Sequence, residues 1–165
     1  MSETRKNADD FRALHVRGRP LVLFNVWDAG SAKAVAEAGA RALATGSWSV
    51  AAANGFADGE ALPLDLAIDN LARIVRASDL PVTIDIESGY RSTEAEVGRT
   101  IARTIASGAV GCNLEDSFPQ TGKLRDVAAQ AERIRHARKA AAESGIGYFI
   151  NARIDVFFQA PGGAA

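Results

Sequence analysis

Two carboxylates stand two positions apart in the segment VTIDIESGY, residues 82–90. The segment otherwise has the pattern of a buried strand, in which side chains two apart point to the same side. Asp85 and Glu87 are therefore expected to share a face with Thr83. Neighbouring like charges are unfavourable unless a cation or hydrogen bonds offset them. The pair is compatible with a site for a divalent cation and also with a solvated strand end.

Further polar residues that could do chemistry follow other predicted strands. Alternation along VGCNLED places Glu115 on the same face as Asn113 and turns Asp116 to the opposite face. The Glu115–Asp116 pair and Asp58, within ADG, are also typical of simple turns. Arg153 either binds a carboxylate ligand, which suits its planar guanidinium, or balances the acids around it.

The elements that must position these residues alternate between strands and helices. Hydrophobic periodicity predicts strands at 21–28, 41–46, 81–88, 110–116 and 148–155, and helices at 31–39, 64–78, 93–108 and 126–145. Gly39, Gly108 and Gly145 each precede a strand, as expected for glycines that end helices in the left-handed conformation. The repeat has the size of a βαβ unit, which predicts parallel strands with right-handed crossovers.

Two architectures fit this alternation: an open, doubly wound sheet and a (β/α) barrel. Central strands of a doubly wound sheet are apolar throughout, whereas barrel strands carry their catalytic groups at the carboxyl ends. Four of the predicted strands become polar late, at Asn25, Asp85, Asn113 and Asn151 among other positions. The sequence therefore favours the barrel.

The expected fold class is α/β, a (β/α)8 TIM-barrel type truncated to about five βα units, because a complete barrel takes about 250 residues. We expect one apparently incomplete domain over 1–165, with an N-terminal helix and lead-in at 1–20 and a flexible tail at 159–165. Five strands leave two open sheet edges, which are a liability for solubility. The chain is accordingly expected to be part of a longer protein or to need a partner.

Composition excludes several classes of protein. The chain is 47% hydrophobic and 24% charged with a net charge of −1, so no basic surface for nucleic acid is expected. Apolar runs reach only strand length and no signal-peptide pattern opens the chain, which predicts a cytoplasmic protein without membrane spans. The single cysteine, Cys112, excludes an internal disulfide framework and a cysteine-rich zinc site. We expect Cys112 to be a buried apolar side chain on the helix-facing side of its strand.

Five stretches, taken together and in order, resemble the isocitrate lyase/phosphoenolpyruvate mutase superfamily, most closely its phosphoenolpyruvate mutase-like group. They are FNVWDAGSAK (24–33), ATGSWSVAAANGFADGE (44–60), PVTIDIESGY (81–90), GCNLEDS (111–117) and INARID (150–155). The resemblance spans about residues 10–158 and covers only the N-terminal part of the family's barrel. It implies a lyase that cleaves or forms a C–C or P–C bond beside a 2-oxo acid, through an enolate of pyruvate type.

The resemblance also implies a Mg²⁺ site, with Mn²⁺ as an alternative. Asp85 matches the family's direct ligand and Glu87 its second acidic position, while Asp58 and Glu115 match carboxylates that hold the metal through water. Mg²⁺ prefers hard oxygen ligands and retains several waters, which agrees with this arrangement.

Substrate contacts follow from the same resemblance. Gly46 and Ser47 match the loop whose backbone N–H groups bind the developing oxyanion, and Arg153 matches the clamp for the substrate carboxylate. Asn113 is a further candidate for binding the small carboxylate substrate, and Trp48 either lines the pocket for that substrate or packs the second loop. The family also implies a homo-oligomer if the barrel is completed.

The sequence departs from the family after Glu115. The segment DSFPQTGKLRD (116–126) lacks the Lys-Lys-Cys-Gly-His stretch of the isocitrate and methylisocitrate lyases. Gln120 and Gly122 stand where the mutase has lysine and asparagine, and Lys123 is out of register. The expected activity is therefore C–C bond cleavage or decarboxylation, with no identified gating-loop acid. The candidate substrates are similar to oxaloacetate, to 2-methylmalate or to a phosphonate-bearing 2-oxo acid. The alternative hypothesis is a catalytically silent fragment that needs a partner or missing C-terminal strands.

Overall fold

A computed structural model describes residues 3–90 and 93–158. The predicted tail at 159–165 lies outside these residues. The helices are α1 (Glu3–Leu14), α2 (Ala29–Glu37), α3 (Ser47–Ala53), α4 (Leu64–Arg76), α5 (Glu94–Ala106) and α6 (Val127–Glu143). The strands are β1 (Asn25–Val26), β2 (Leu43–Thr45), β3 (Val82–Asp85), β4 (Gly111–Glu115) and β5 (Phe149–Arg153), and a short 3₁₀ turn follows at Val156–Phe158.

The five strands form one parallel sheet in the order β1-β2-β3-β4-β5. A doubly wound sheet would reverse its strand order near the middle, whereas a barrel places each strand beside the next in sequence. The strand order confirms the barrel-type prediction. In the part of the chain that the structure describes, β1 and β5 are the two edges of the sheet, as expected for five units.

Every predicted strand is present but shorter than its apolar run. The largest difference is at 21–28, where only Asn25–Val26 are in the ladder, because β1 has one neighbour and β2 itself spans only Leu43–Thr45. β3 ends at Asp85, not at residue 88 as predicted. The sequence interpretation placed a loop after β2, but an alanine-rich helix, α3, begins there directly after Gly46.

The hydrophobic core lies between the sheet and α2, α4, α5 and α6. Val82, Ile84 and Ile86 lie in it, packed with side chains such as Leu71 of α4 and Ile101 of α5. The predicted helix stops are confirmed, since Gly39, Gly108 and Gly145 have φ values of +93°, +93° and +69°.

Cys112 is also buried in this core, as predicted. Burial raises the pKa of its thiol to about 12, so the side chain is a neutral thiol near neutral pH. Cys112 therefore serves packing and is not a nucleophile.

Helix α1 packs against the N-terminal end of the sheet. Phe11 meets Phe149 of β5 edge to face, with ring centroids 5.6 Å apart. His15, just beyond α1, stacks on Phe149 at 4.0 Å, so it lies against the sheet while remaining solvent-exposed. No helix in the described ranges, 3–90 and 93–158, combines the length and apolarity needed to cross a membrane.

Candidate active site

A cavity of about 430 Å³ lies on the sheet face opposite to the core helices. Side chains from all five strands line it. Its polar lining residues are His15, Asn25, Thr45, Thr83, Asp85, Asn113, Asn151 and Arg153. The prediction that strand ends carry an inward-facing polar lining is therefore confirmed in geometry.

Strand register produces a row of hydrogen-bonded side chains across the cavity floor. Asp85 is paired with Asn113, and Asn113 with Asn151, so the three side chains project from the same side of adjacent parallel strands. Asn151 Nδ2 donates to Asn113 Oδ1 at 2.7 Å, and Asn113 Nδ2 donates to Asp85 Oδ1 at 3.4 Å. Each amide thus orients the next group, and the row ends on a carboxylate.

Backbone donors hold Asp85 from its other side. Glu87 N donates to Asp85 Oδ1 at 3.0 Å and Ser47 N donates to Asp85 Oδ2 at 3.4 Å. The Asp85 N–H in turn donates to Thr45 Oγ1 at 3.0 Å. Asp85 is therefore fixed in position by contacts from three segments of the chain.

Gly46 and Ser47, the predicted oxyanion loop, form the start of α3. Gly46 is the N-cap and Ser47 the first helical residue, where backbone N–H groups have no partner within the helix. The Ser47 N–H points to Asp85 instead. A Cβ atom on Gly46 would lie 2.7 Å from Asn25 Nδ2, so a larger residue at position 46 would displace the Asn25 side chain.

Glu115 and Arg153 form an ion pair at the ends of β4 and β5. Arg153 Nη1 lies 2.5 Å from Glu115 Oε1, and the register pairs the two residues directly. Burial raises the pKa of Glu115 to about 8, repulsion from Asp85 adds to the rise, and the charge of Arg153 opposes it. Glu115 is therefore a carboxyl group that can hold a proton near neutral pH.

Asp155 is a functional candidate that the sequence interpretation missed. It is 5% exposed, accepts from Arg153 Nε at 2.8 Å and accepts from Ser117 Oγ at 2.6 Å. Its own N–H donates to Asp116 Oδ1 at 2.9 Å. One feature of the sequence could have identified Asp155: it is an acid two positions after Arg153, in a segment that is otherwise largely apolar.

Glu87 lies outside the strand, and the prediction that it shares a strand face with Asp85 and Thr83 is wrong. The strand ends at Asp85, and the Glu87 backbone has a left-handed φ of +49°. Its buried carboxylate accepts from Glu60 N at 2.8 Å and from the Tyr90 hydroxyl at 3.4 Å. Burial raises the pKa of Glu87 to about 7, and repulsion from Asp58 raises it further.

The remaining predicted residues lie farther out. Asp58 is exposed in the segment after α3, yet close enough for its charge to act on Glu87. Trp48 is 70% exposed and does not line the cavity. The structure thus brings together Asp85, Asn113, Glu115 and Arg153, with Glu87 and Asp58 as an adjacent acidic group and Trp48 apart from both.

The donor set at this end of the sheet suits Mg²⁺. Within residues 3–90 and 93–158, no three Asp, Glu, His or Cys side chains are grouped so that they could hold a metal ion directly. Mg²⁺ commonly takes only one or two carboxylates and completes its octahedron with water, which the carboxylates of Asp85, Glu87, Glu115 and Asp58 could support. After burial, repulsion from neighbouring carboxylates contributes to the raised pKa values of Glu87 and Glu115, and a bound cation would offset that repulsion.

The family profile described as phosphoenolpyruvate phosphomutase matches residues 11–165. The chain belongs to the phosphoenolpyruvate mutase family. A crystal structure from Burkholderia cenocepacia J2315, of a protein provisionally named a phosphonomutase, is 64% identical with a TM-score of 0.92. It matches 94% of this chain and 63% of its own chain.

Two relatives of lower sequence identity are enzymes whose names state an activity. The 2-methylisocitrate lyase of Escherichia coli K12 is 31% identical over 107 residues, which are 64% of this chain and 36% of that protein. Oxaloacetate acetylhydrolase, solved with its product oxalate, is 26% identical with a TM-score of 0.84, over 94% of this chain and 55% of that one. Both crystal structures match this chain over most of its length. The chain itself spans only a little more than half the length of those proteins.

Proposed function

We propose that these residues form the N-terminal part of a Mg²⁺-dependent lyase site for a small 2-oxo acid or its adduct. The observation that carries the proposal is the row from Asn151 through Asn113 to Asp85, beside the Glu115–Arg153 pair at the same end of the sheet. The row supplies neutral amides and a carboxylate, and the pair supplies a cation for an anionic substrate. The reaction cleaves or forms a C–C or P–C bond, through an enolate of pyruvate type.

Arg153 is the proposed clamp for the substrate carboxylate. Its guanidinium lines the cavity while Glu115 and Asp155 hold two of its donor nitrogens. A guanidinium has five N–H donors in a fixed plane, so further donors serve a bound carboxylate. Both named enzymes among the relatives, 2-methylisocitrate lyase and oxaloacetate acetylhydrolase, act on carboxylates, which supports this assignment.

Asp85 is the proposed direct ligand of Mg²⁺, and Glu87, Asp58 and Glu115 are proposed to hold its waters. When bound, Mg²⁺ would supply Lewis-acid polarisation of the 2-oxo acid. The chain's own residues orient the site: the amide row fixes Asp85, and the Ser47 N–H at the start of α3 lies next to it. We assign Gly46 and Ser47 to stabilising the negative charge that develops on the substrate oxygen.

The segment after β4 is proposed to determine which substrate is used. Phe118 lies under the Arg125 guanidinium at 4.0 Å, and Ser117 pairs with Leu124 across the turn. Gln120 and Gly122 in this turn cannot transfer protons as lysine or cysteine would. We therefore propose C–C bond cleavage or decarboxylation of a short acid, on a substrate similar to oxaloacetate or 2-methylmalate.

The test measures thermal unfolding with Mg²⁺ and oxalate, a planar mimic of the enolate. A ligand at roughly one hundred times its Kd adds about 2.7 kcal/mol of stability, which raises the Tm of a protein of this size by about 5–11 °C. Asp85→Asn should abolish the Mg²⁺-dependent rise, whereas Asp69→Asn, an exposed position on α4, should retain it. No rise in the unaltered protein would favour the catalytically silent alternative.

A further inference from the structure

Three non-glycine residues have left-handed backbones where two loops meet. Among residues 3–90 and 93–158, Glu60, Glu87 and Tyr90 have φ values of +60°, +49° and +57°. Such a conformation is unfavourable for an ordinary residue and persists only where surrounding contacts fix it. Glu60 follows α3, and the other two follow β3, so the strain is concentrated at one junction.

Glu60 and the turn after β3 exchange hydrogen bonds in both directions. Glu60 Oε1 accepts from Ser88 Oγ and from Tyr90 N, each at 2.8 Å. The Glu60 N–H donates to Glu87 Oε2, also at 2.8 Å. The Glu60 side chain thus binds the turn after β3. The Glu60 backbone in turn binds the side chain of Glu87 in that turn.

Cations from a third part of the protein support this junction. Arg125 Nη2 donates to Ser88 Oγ at 3.1 Å, and the buried Arg133 of α6 donates to the Ser88 carbonyl. Ser88, which donates to Glu60, is therefore itself held by two arginines. The half-buried Glu60 side chain is thus fixed against the turn after β3 by the two hydrogen bonds that it accepts.

We infer that Glu60 is a positioning residue, which fixes the segment carrying Asp58 to the turn carrying Glu87. Glu60 does not line the cavity, so it acts through these two neighbours and not on the substrate. The functional consequence, correct placement of two acids around the divalent ion, rests on the proposed function. The hydrogen-bonded junction itself does not.

The test compares Glu60→Ala with Glu60→Gln. The amide oxygen of glutamine can still accept from Ser88 Oγ and Tyr90 N, whereas alanine removes both hydrogen bonds. Both variants place a non-glycine residue at the left-handed position 60. The difference between their exchange rates and metal affinities therefore reports on the side chain alone. Glu37→Ala, at an exposed position on α2, is the matched control.

Two readouts are taken on the protein of residues 1–165. Hydrogen exchange without metal reports on segments 57–60 and 86–90, and a titration with Mn²⁺ alone reports on metal affinity. Losing two hydrogen bonds should speed exchange in both segments by about tenfold or more in Glu60→Ala. Mn²⁺ affinity should fall by a similar factor, while Glu60→Gln and Glu37→Ala stay within about threefold of the unaltered protein.

Exchange that is unchanged in Glu60→Ala, or faster in only one segment, would overturn the inference. Equal effects of Glu60→Gln and Glu60→Ala would also overturn it, because charge rather than hydrogen bonding would then be responsible. If the unaltered protein binds no Mn²⁺ but the exchange pattern holds, the proposed function fails and the junction stands. Should Glu60→Ala not fold, Ser88→Ala removes one donor, and unchanged exchange there would refute the inference.

Discussion

Removing the Asp155 carboxylate should destabilise the protein and weaken the binding of an anionic ligand by Arg153. The buried carboxylate accepts from Ser117 Oγ at 2.6 Å and from Arg153 Nε at 2.8 Å. The first contact is a charge-assisted hydrogen bond between buried groups. The second orients the guanidinium, because it fixes one edge while Glu115 holds Nη1.

The expected magnitude follows from the burial of each partner. The Ser117 hydrogen bond to a charged acceptor contributes about 1.5–3 kcal/mol. The Arg153 side chain is 37% exposed, so solvent screens its ion pair with Asp155 and the pair contributes at most about 1 kcal/mol. Asp155→Ala should therefore cost about 3 kcal/mol, or roughly 6–12 °C in Tm, and Asp155→Asn, which keeps one neutral acceptor, about half as much.

Thermal unfolding and oxalate titration of both variants provide the assay. The control is Asp10→Ala, which removes an exposed ion pair with Lys6 whose side chains are 52% and 68% exposed. That change should shift Tm by less than about 2 °C, since exposed pairs contribute little. If Asp155→Ala behaved like Asp10→Ala, or bound oxalate as tightly as the unaltered protein, the assignment of Asp155 as the support of Arg153 would be refuted.

Two further predictions concern pH and backbone contacts. Because burial raises the pKa of Glu87 to about 7 and of Glu115 to about 8, the folded protein holds protons that the unfolded protein releases. Metal-free stability, measured by urea midpoint, should therefore fall from about pH 5 to about pH 8.5, and a flat or rising profile would contradict this. Gly46→Ala should cost about 1–3 kcal/mol in urea unfolding, because the added Cβ would lie 2.7 Å from Asn25 Nδ2. Gly30→Ala on α2, with its nearest contact at 3.5 Å, should cost nothing, and equal effects of the two would show that the close approach is not the cause.

The sequence predicted the order of the strands and of every helix except α3, the barrel-type sheet and the inward polar ring, because each depends on local periodicity. It also placed Glu115 and Asn113 on one face, since β4 remains extended through Glu115. Alternation failed at Glu87 because the backbone there is left-handed, and period-two reasoning holds only along an extended backbone.

The sequence pattern did not predict the contacts between segments that are far apart in the chain. The Glu60 hydrogen bonds join positions 27 to 30 residues apart, and no local pattern specifies them. Asp155 was missed for a similar reason, since its partner Ser117 lies 38 residues earlier. The order of the amide row likewise follows from strand register, which pairs Asn113 with both Asp85 and Asn151.

Crystals of the protein soaked with Mn²⁺ and oxalate would test the central claim most directly, by locating the metal through its anomalous scattering. We expect one strong peak against an Asp85 carboxylate oxygen on the inner face of the sheet, with the oxalate close to Arg153. That peak should disappear in Asp85→Asn crystals and remain in Asp69→Asn crystals. A peak elsewhere on the molecule, or none beside Asp85 in the unaltered protein at saturating Mn²⁺, would contradict the account.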